Sequence, residues 1–130
     1  MANLDCIVDD DFRESLSGDL VELEKALERN SIKSAHVLAG SIVEAVLIDY
    51  LLSEGIVDRD GALKSDLGGA IEKCKAKNVI SSKTADLSSV VRAYRNLIHP
   101  GRAVRLQERI DRDTAIVANS VVAIVLGETR

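Results

Sequence analysis

Apolar residues recur along most of this chain at intervals of three and four, the spacing of one face of a helix. From about Asp10 to Arg29, Phe12, Leu16, Leu20, Leu23 and Leu27 share such a face, and acids fill the first turn, where the helix dipole favours them. Asn30 and Ser31 supply a stop and a new N-cap. The next helix should run from about Ile32 to Ser53 and end at Gly55. It is apolar on most of its faces, and the small residues Ala35, Ala39, Gly40, Ser41 and Ala45 let neighbours approach it closely on more than one side. The segment from Gly55 to Leu63 reads as a charged loop. Leu67, Ala70, Ile71 and Cys74 mark a shorter helix capped by Ser65 or Asp66, with Gly68 and Gly69 weakening it. After a break at Asn78 to Ser82, a fourth helix spans about Ser82 to Ile98. Beyond Pro100 and Gly101 comes an irregular or short helical stretch, then a last helix from about Asp113 to Leu126. Its β-branched residues make a strand the competing reading, but it lacks alternation and a partner strand.

Composition points the same way. At 130 residues the chain fits one domain, residues 1–130, whose core needs no disulfide or metal. Aromatic residues make up 2% of it, and one Pro and no Trp accompany abundant Ala, Leu, Ile and Val, which suits packed helices and argues against a sandwich or barrel. Four or five helices in an up-and-down, all-α bundle are expected. Phe12, Tyr50 and Tyr94 are too few to stack bases of a single strand. Cys6 and Cys74 read as reduced thiols, and Met1 to Asp11 carries acids where a signal would carry Lys or Arg, so a cytoplasmic protein is expected. Val37 to Leu52 is the most apolar run. With Glu44 and Asp49 inside it, it is too short and too charged to span a membrane and should be a buried core helix.

The net charge of −4 conceals an asymmetry. Residues 1–30 hold nine acids against three bases, whereas Leu87 to Gln107 holds Arg92, Arg95, Arg102 and Arg105 with no Asp, Glu or Lys. The window is +4 and the rest of the chain −8. A local anion site fits this pattern better than the broad basic surface of a non-specific nucleic-acid binder.

The window also contains the chain's one chemical constellation. On an ideal wheel with Leu87 at zero, Val91, Tyr94 and Ile98 lie close to it on a core face, flanked by Val90 and Leu97. Arg95 falls near about 80°, His99 near about 120°, Arg92 near about 140° and Asn96 near about 180°. Two arginines and a histidine thus form a stripe beside the core face, stacked so that they could converge on one anion. Arg brings a permanent charge and a fork that matches phosphate oxygens; His titrates near neutral pH and can move a proton. The plain structural alternative is a solvated helix flank with a His favourably placed at the C-terminus. An ordinary solvated face mixes signs, and this one does not.

The run Val91-Arg92-Ala93-Tyr94-Arg95-Asn96-Leu97-Ile98-His99-Pro100-Gly101-Arg102 resembles the motif helix of the HEPN superfamily: an Arg, commonly followed by a polar residue, then a His after four to six positions. The segment from Ser34 to Leu52 is similar to an earlier core helix of such proteins. The resemblance covers about twelve residues closely and most of the chain loosely. It implies an all-α bundle, usually a homodimer that joins two motif helices, and in many members a metal-independent endoribonuclease acting as a toxin or antiphage effector. Other members bind RNA or nucleotides without cutting, and a partner of antitoxin or nucleotidyltransferase type is implied.

Carried over residue by residue, Arg92 and His99 would be catalytic, and Arg95, Asn96, Arg102 and Arg105 would hold phosphate. Arg92 has the right spacing to His99 but is followed by Ala93; Arg95 has the expected Asn96 but only three residues before His99. Either could be the motif arginine. In the implied reaction His99 takes the proton of a ribose 2′-OH while an arginine steadies the phosphate, and a second copy supplies a general acid.

Elsewhere the signals are weak. His36, His99, Cys6 and Cys74 share no metal-ligand spacing, so no metal or cofactor is expected, and His36 belongs in a core or interface helix as a hydrogen-bonded residue. Glu44 and Asp49 project to different faces and read as partners of Lys or Arg. Asp9-Asp10-Asp11 reads as helix N-terminal charge. Two functions stay open: an RNA-targeting effector, or a non-catalytic helical dimerisation or nucleotide/RNA-binding module. A concave groove holding Arg92, Arg95 and His99 would favour the first; pairing of the stripe with acids of helix one would favour the second.

Overall fold

The computed structural model describes residues 4–99, 101, 102, 104 and 109–129. Among these there are six helices and no strand: α1 (Asp10–Glu28), α2 (Ile32–Ser53), α3 (Arg59–Lys64), α4 (Leu67–Ala76), α5 (Ser82–Asn96) and α6 (Arg112–Glu128). The β-branched last segment is a helix because Asp111 and Thr114 close a reciprocal capping box at its start and its Ala, Val and Leu residues bury one face.

Local sequence sets most boundaries. Asp9, Asp58, Asp66, Ser81 and Asp111 cap helices with their side-chain oxygens. Asn30, Gly55 and Asn78 each adopt positive φ just past a helix end, and Ser31, Ile56 and Val79 then bond back to the carbonyls of Ala26, Leu51 and Cys74, closing Schellman stops. Two expectations change. The segment from Gly55 to Leu63, read as loop, contains most of α3, because Asp58 accepts from Gly61 N at 2.7 Å and starts a turn that buries Ala62. The fourth helix stops at Asn96 with Leu97 as its C-cap, so His99 sits in the following turn rather than in the last helical one. Pro100 and Arg105 lie outside the described residues.

α2 occupies the centre and packs against each of the other five helices. Around it, α5 packs against both α4 and α6, and α1 also touches α6. Eleven residues of α2 are buried, among them Ile42, Val43, Val46, Leu47 and Leu51. It is the one described helix long and apolar enough to cross a membrane, yet 61% of its most apolar window is covered by the rest of the chain.

A buried carboxylate on α2 fixes the chain's beginning. Asp49 is 1% exposed and accepts from Val8 N at 3.0 Å and Asp9 N at 2.9 Å. Burial raises its carboxyl above the ordinary range, against the pull of the Val8 hydrogen bond and the Arg13 charge. Arg13 donates to Ile7 O, and Arg59 of α3 pairs with Asp9 and Asp11, so the start of α1 is held from two sides. Both cysteines are free; Cys74 is buried, which pushes its thiol up to about 12 and leaves it protonated.

Asp49→Ala should release residues 4–9 from α2. A loss of about 2 kcal/mol in urea unfolding, with faster amide exchange at Val8 and Asp9, is the expected result.

Candidate functional site

α5 carries the motif residues, and its two neighbours decide where they go. Its C-terminal half lies over one stripe of α2 formed by His36, Gly40 and Glu44, spaced four apart. The Tyr94 ring stacks on His36 with centroids 5.5 Å apart and a tilt of 50°. The stem of Arg95 runs directly over Gly40, where a Cβ would overlap Arg95 Cδ, and its guanidinium reaches Glu44 Oε2 at 3.3 Å. Gly40 therefore provides the trough in which Arg95 lies, and Glu44 grips the head. Arg95 and Glu44 are both partly covered, with side chains 25% and 32% exposed.

Arg92 turns the other way. Its guanidinium rests on Gly68 of α4, where a Cβ would stand 3.1 Å from Cζ and Nε. Here a glycine that weakens a helix makes room for an arginine of another. Arg92 borders a shallow depression between α4 and α5 that is also lined by Asp66, Gly69, Glu72 and Ser89. One Asp66 oxygen is already occupied by Gly69 N at 2.7 Å, and no carboxylate among the described residues lies within ion-pair distance of Arg92.

The expected stack of cations is thus divided. Arg95 faces α2, Arg92 faces α4, and His99 stands exposed in the bend after α5, with Arg102 exposed in the helical residues that follow, its N donating to His99 O at 3.0 Å. Asn96 is half-buried at the helix end. The Arg95 partner comes from helix two rather than helix one. Arg92, His99 and Arg102 remain the solvent-facing cationic or titratable groups of the window among the described residues.

His36 is fully buried beneath this site. Its Nε2 lies 2.9 Å from Thr114 Oγ1, which receives Asp111 N–H and directs its own proton to Asp111 O. That network leaves Nε2 as the donor and Nδ1 as a bare acceptor, for which the described residues offer no partner. Burial pushes the imidazole below its ordinary 6.5, against a smaller upward pull from Asp111. His36 thus ties α2, the Tyr94 turn of α5 and the cap of α6 together as a neutral residue. No group of three or more His, Cys, Asp or Glu among the described residues could hold a metal.

The sequence reads Glu44 as the partner of a Lys or Arg, and Arg95 is that partner, but it shows neither which cation pairs there nor that Gly40 and Gly68 seat arginines. The small residues of the second helix were a signal of close approach but not of what would approach. Compared with protein-family models, curated proteins and solved structures, the chain gives no match.

Glu44→Gln should lower stability by less than about 1 kcal/mol, because the pair is partly solvated, and the difference should shrink in about 1 M salt. For His36 the folded state disfavours the proton, so its contribution is fully present above pH 6.5 and is lost as pH falls below that value. Urea unfolding measured from pH 7.5 down to about pH 5 should show stability declining, and the gap between wild type and His36→Gln should narrow over the same range.

Proposed function

We propose that this chain is a HEPN-like RNA-targeting module in which Arg92 holds a backbone phosphate and His99 takes the proton of the adjacent ribose 2′-OH. The 2′-oxygen then bonds to phosphorus as the bond to the 5′-oxygen breaks. A 2′,3′-cyclic phosphate forms, and the 5′-oxygen leaves with a proton drawn from water. The nucleophile confines the reaction to RNA.

One observation carries this reading: Arg92, His99 and Arg102 are exposed around the end of α5, in a window free of acids, while Arg95 is held by Glu44. Arg95 then steadies the helix rather than the phosphate. It supports α5 through Gly40 and Glu44, so its removal should disturb the site through the fold.

The second reading is a non-catalytic nucleotide- or RNA-binding module. Its specific support is the division of the window: the Arg92 guanidinium rests on Gly68 of α4 while His99 stands beyond the end of α5, so each can meet a phosphate without the two acting on one bond. A single experiment separates the two. Purified wild type, Arg92→Ala and His99→Ala are incubated with end-labelled single-stranded RNA in EDTA, and products and bound fraction are measured together. Cutting to cyclic-phosphate ends by wild type, reduced at least about a hundredfold in His99→Ala, supports catalysis. Binding without cutting, weakened in Arg92→Ala, selects the second reading. Cutting that survives both substitutions, or no binding at all, overturns the assignment of these residues.

A further inference from the structure

A depression of about 280 Å³ lies where α1, α2 and the end of α3 meet. Each long helix lines it with one stripe, α1 with Phe12, Ser15 and Asp19 and α2 with Ser41, Glu44 and Ile48 on successive turns. Leu63 and Ser65 close it from α3 and its C-cap. The wall has two characters. Three hydroxyls and two carboxylates line it without a Lys, Arg or His among them, whereas Phe12, Ile48 and Leu63 are apolar. Leu63 is 62% exposed, an apolar edge that nothing in the chain covers.

The polar groups ask for a donor. Asp19 is half-buried, yet it makes no hydrogen bond or ion pair with the described residues. Burial, and then the neighbouring Glu22 charge, raise its carboxyl above the ordinary range, as befits a carboxylate partly removed from water without a cation. Glu44 gives one oxygen, Oε2, to Arg95 at 3.3 Å and has no second bond among the described residues. Ser65 Oγ donates its proton to Gly61 O at 2.7 Å, so it offers only lone pairs to anything else.

We propose that this depression binds a short aliphatic diamine of the putrescine class, its ammoniums on Asp19 and Glu44 and its methylenes against Phe12 and Leu63. Charge and shape select this occupant. Two carboxylates on adjacent helices match two positive ends, each ammonium brings three N–H donors to a wall rich in acceptors, and the apolar edge is covered by the methylenes between. A bare metal ion fits less well. No group of three or more His, Cys, Asp or Glu among the described residues could hold one, and an ion would leave the apolar edge wet. The volume lies at the lower edge of the roughly 300 Å³ at which ligand pockets begin, which suits a small ligand. Because Glu44 also holds Arg95, an occupied depression competes for the carboxylate that steadies α5. The inference stands on this cavity and is independent of RNA binding or cleavage.

Amide spectra of the ¹⁵N-labelled protein, titrated with putrescine at constant ionic strength, test it. Saturable shifts at Ser15, Asp19, Ser41 and Glu44 are expected, with a dissociation constant on the order of 1 mM for so small a ligand. The uncharged analogue butanediol should give none. Asp19→Asn should weaken binding at least about tenfold, and Ser41→Leu, which fills the depression from an exposed position, should abolish it; circular dichroism checks both folds. Glu24→Gln, an exposed acid of α1 outside the depression, should bind as wild type does. No saturable shift in wild type, an equal response to butanediol, binding that survives Ser41→Leu, or equal weakening by Asp19→Asn and Glu24→Gln overturns the proposal.

Discussion

Everything in this bundle depends on covering α2. A helix of 22 residues that is apolar almost all round cannot be satisfied by one neighbour, so five helices are arranged about it. Covering such a helix obliges its polar residues to find partners inside the protein, since water no longer reaches them. Asp49 meets this demand with two backbone N–H groups from the segment before α1, and His36 meets it with the hydroxyl that caps α6. These bonds join parts of the chain 78, 41 and 40 residues apart, so the polar exceptions of the central helix specify how the others are placed.

The same logic links the core to the candidate site. The stripe of α2 that holds His36 continues through Gly40 to Glu44, and α5 lies along it. Tyr94 and Arg95 are therefore committed to packing, one against an imidazole and the other along a glycine trough to a carboxylate. What remains for solvent is Arg92 on the far flank, His99 in the bend after α5 and Arg102 in the helical residues beyond it. A second tie, from Glu128 of α6 to Ser81 and Thr84, anchors the opposite end of α5. Burial works to raise that carboxyl, but the hydrogen bonds from Thr84 and Ser81 outweigh it and hold it below the usual range. α5 is thus held at both ends, which gives a rigid base to whatever its C-terminal turn engages.

Much of the architecture was legible in residue order. The periodicity of Leu16, Leu20, Leu23 and Leu27, a cap at Ser65 or Asp66, and the stops at Asn30 and Gly55 are local features whose physics acts within a few residues. The bounds of α2 followed from Ser31 and Gly55, while its all-round apolarity left a central position and burial against another subunit equally open until packing with the five other helices placed it at the centre. The early end of α5 and the helix hidden in the segment from Gly55 to Leu63 were less visible, because both turn on single capping interactions at positions with weak periodicity.

The sequence by itself determined an all-helical chain, a second helix apolar on most of its faces and a window in which four arginines stand without an acid. Tertiary structure decided what each arginine does. A helical wheel fixes the direction in which a side chain leaves the backbone, but an arginine head lies several bonds further out, and its position follows the surfaces it meets. Arg92 and Arg95, three residues apart, are seated on glycines of two different helices, and the carboxylate that holds one of them lies 51 residues away in the chain. No local pattern encodes a partner at that distance; packing against α2 does.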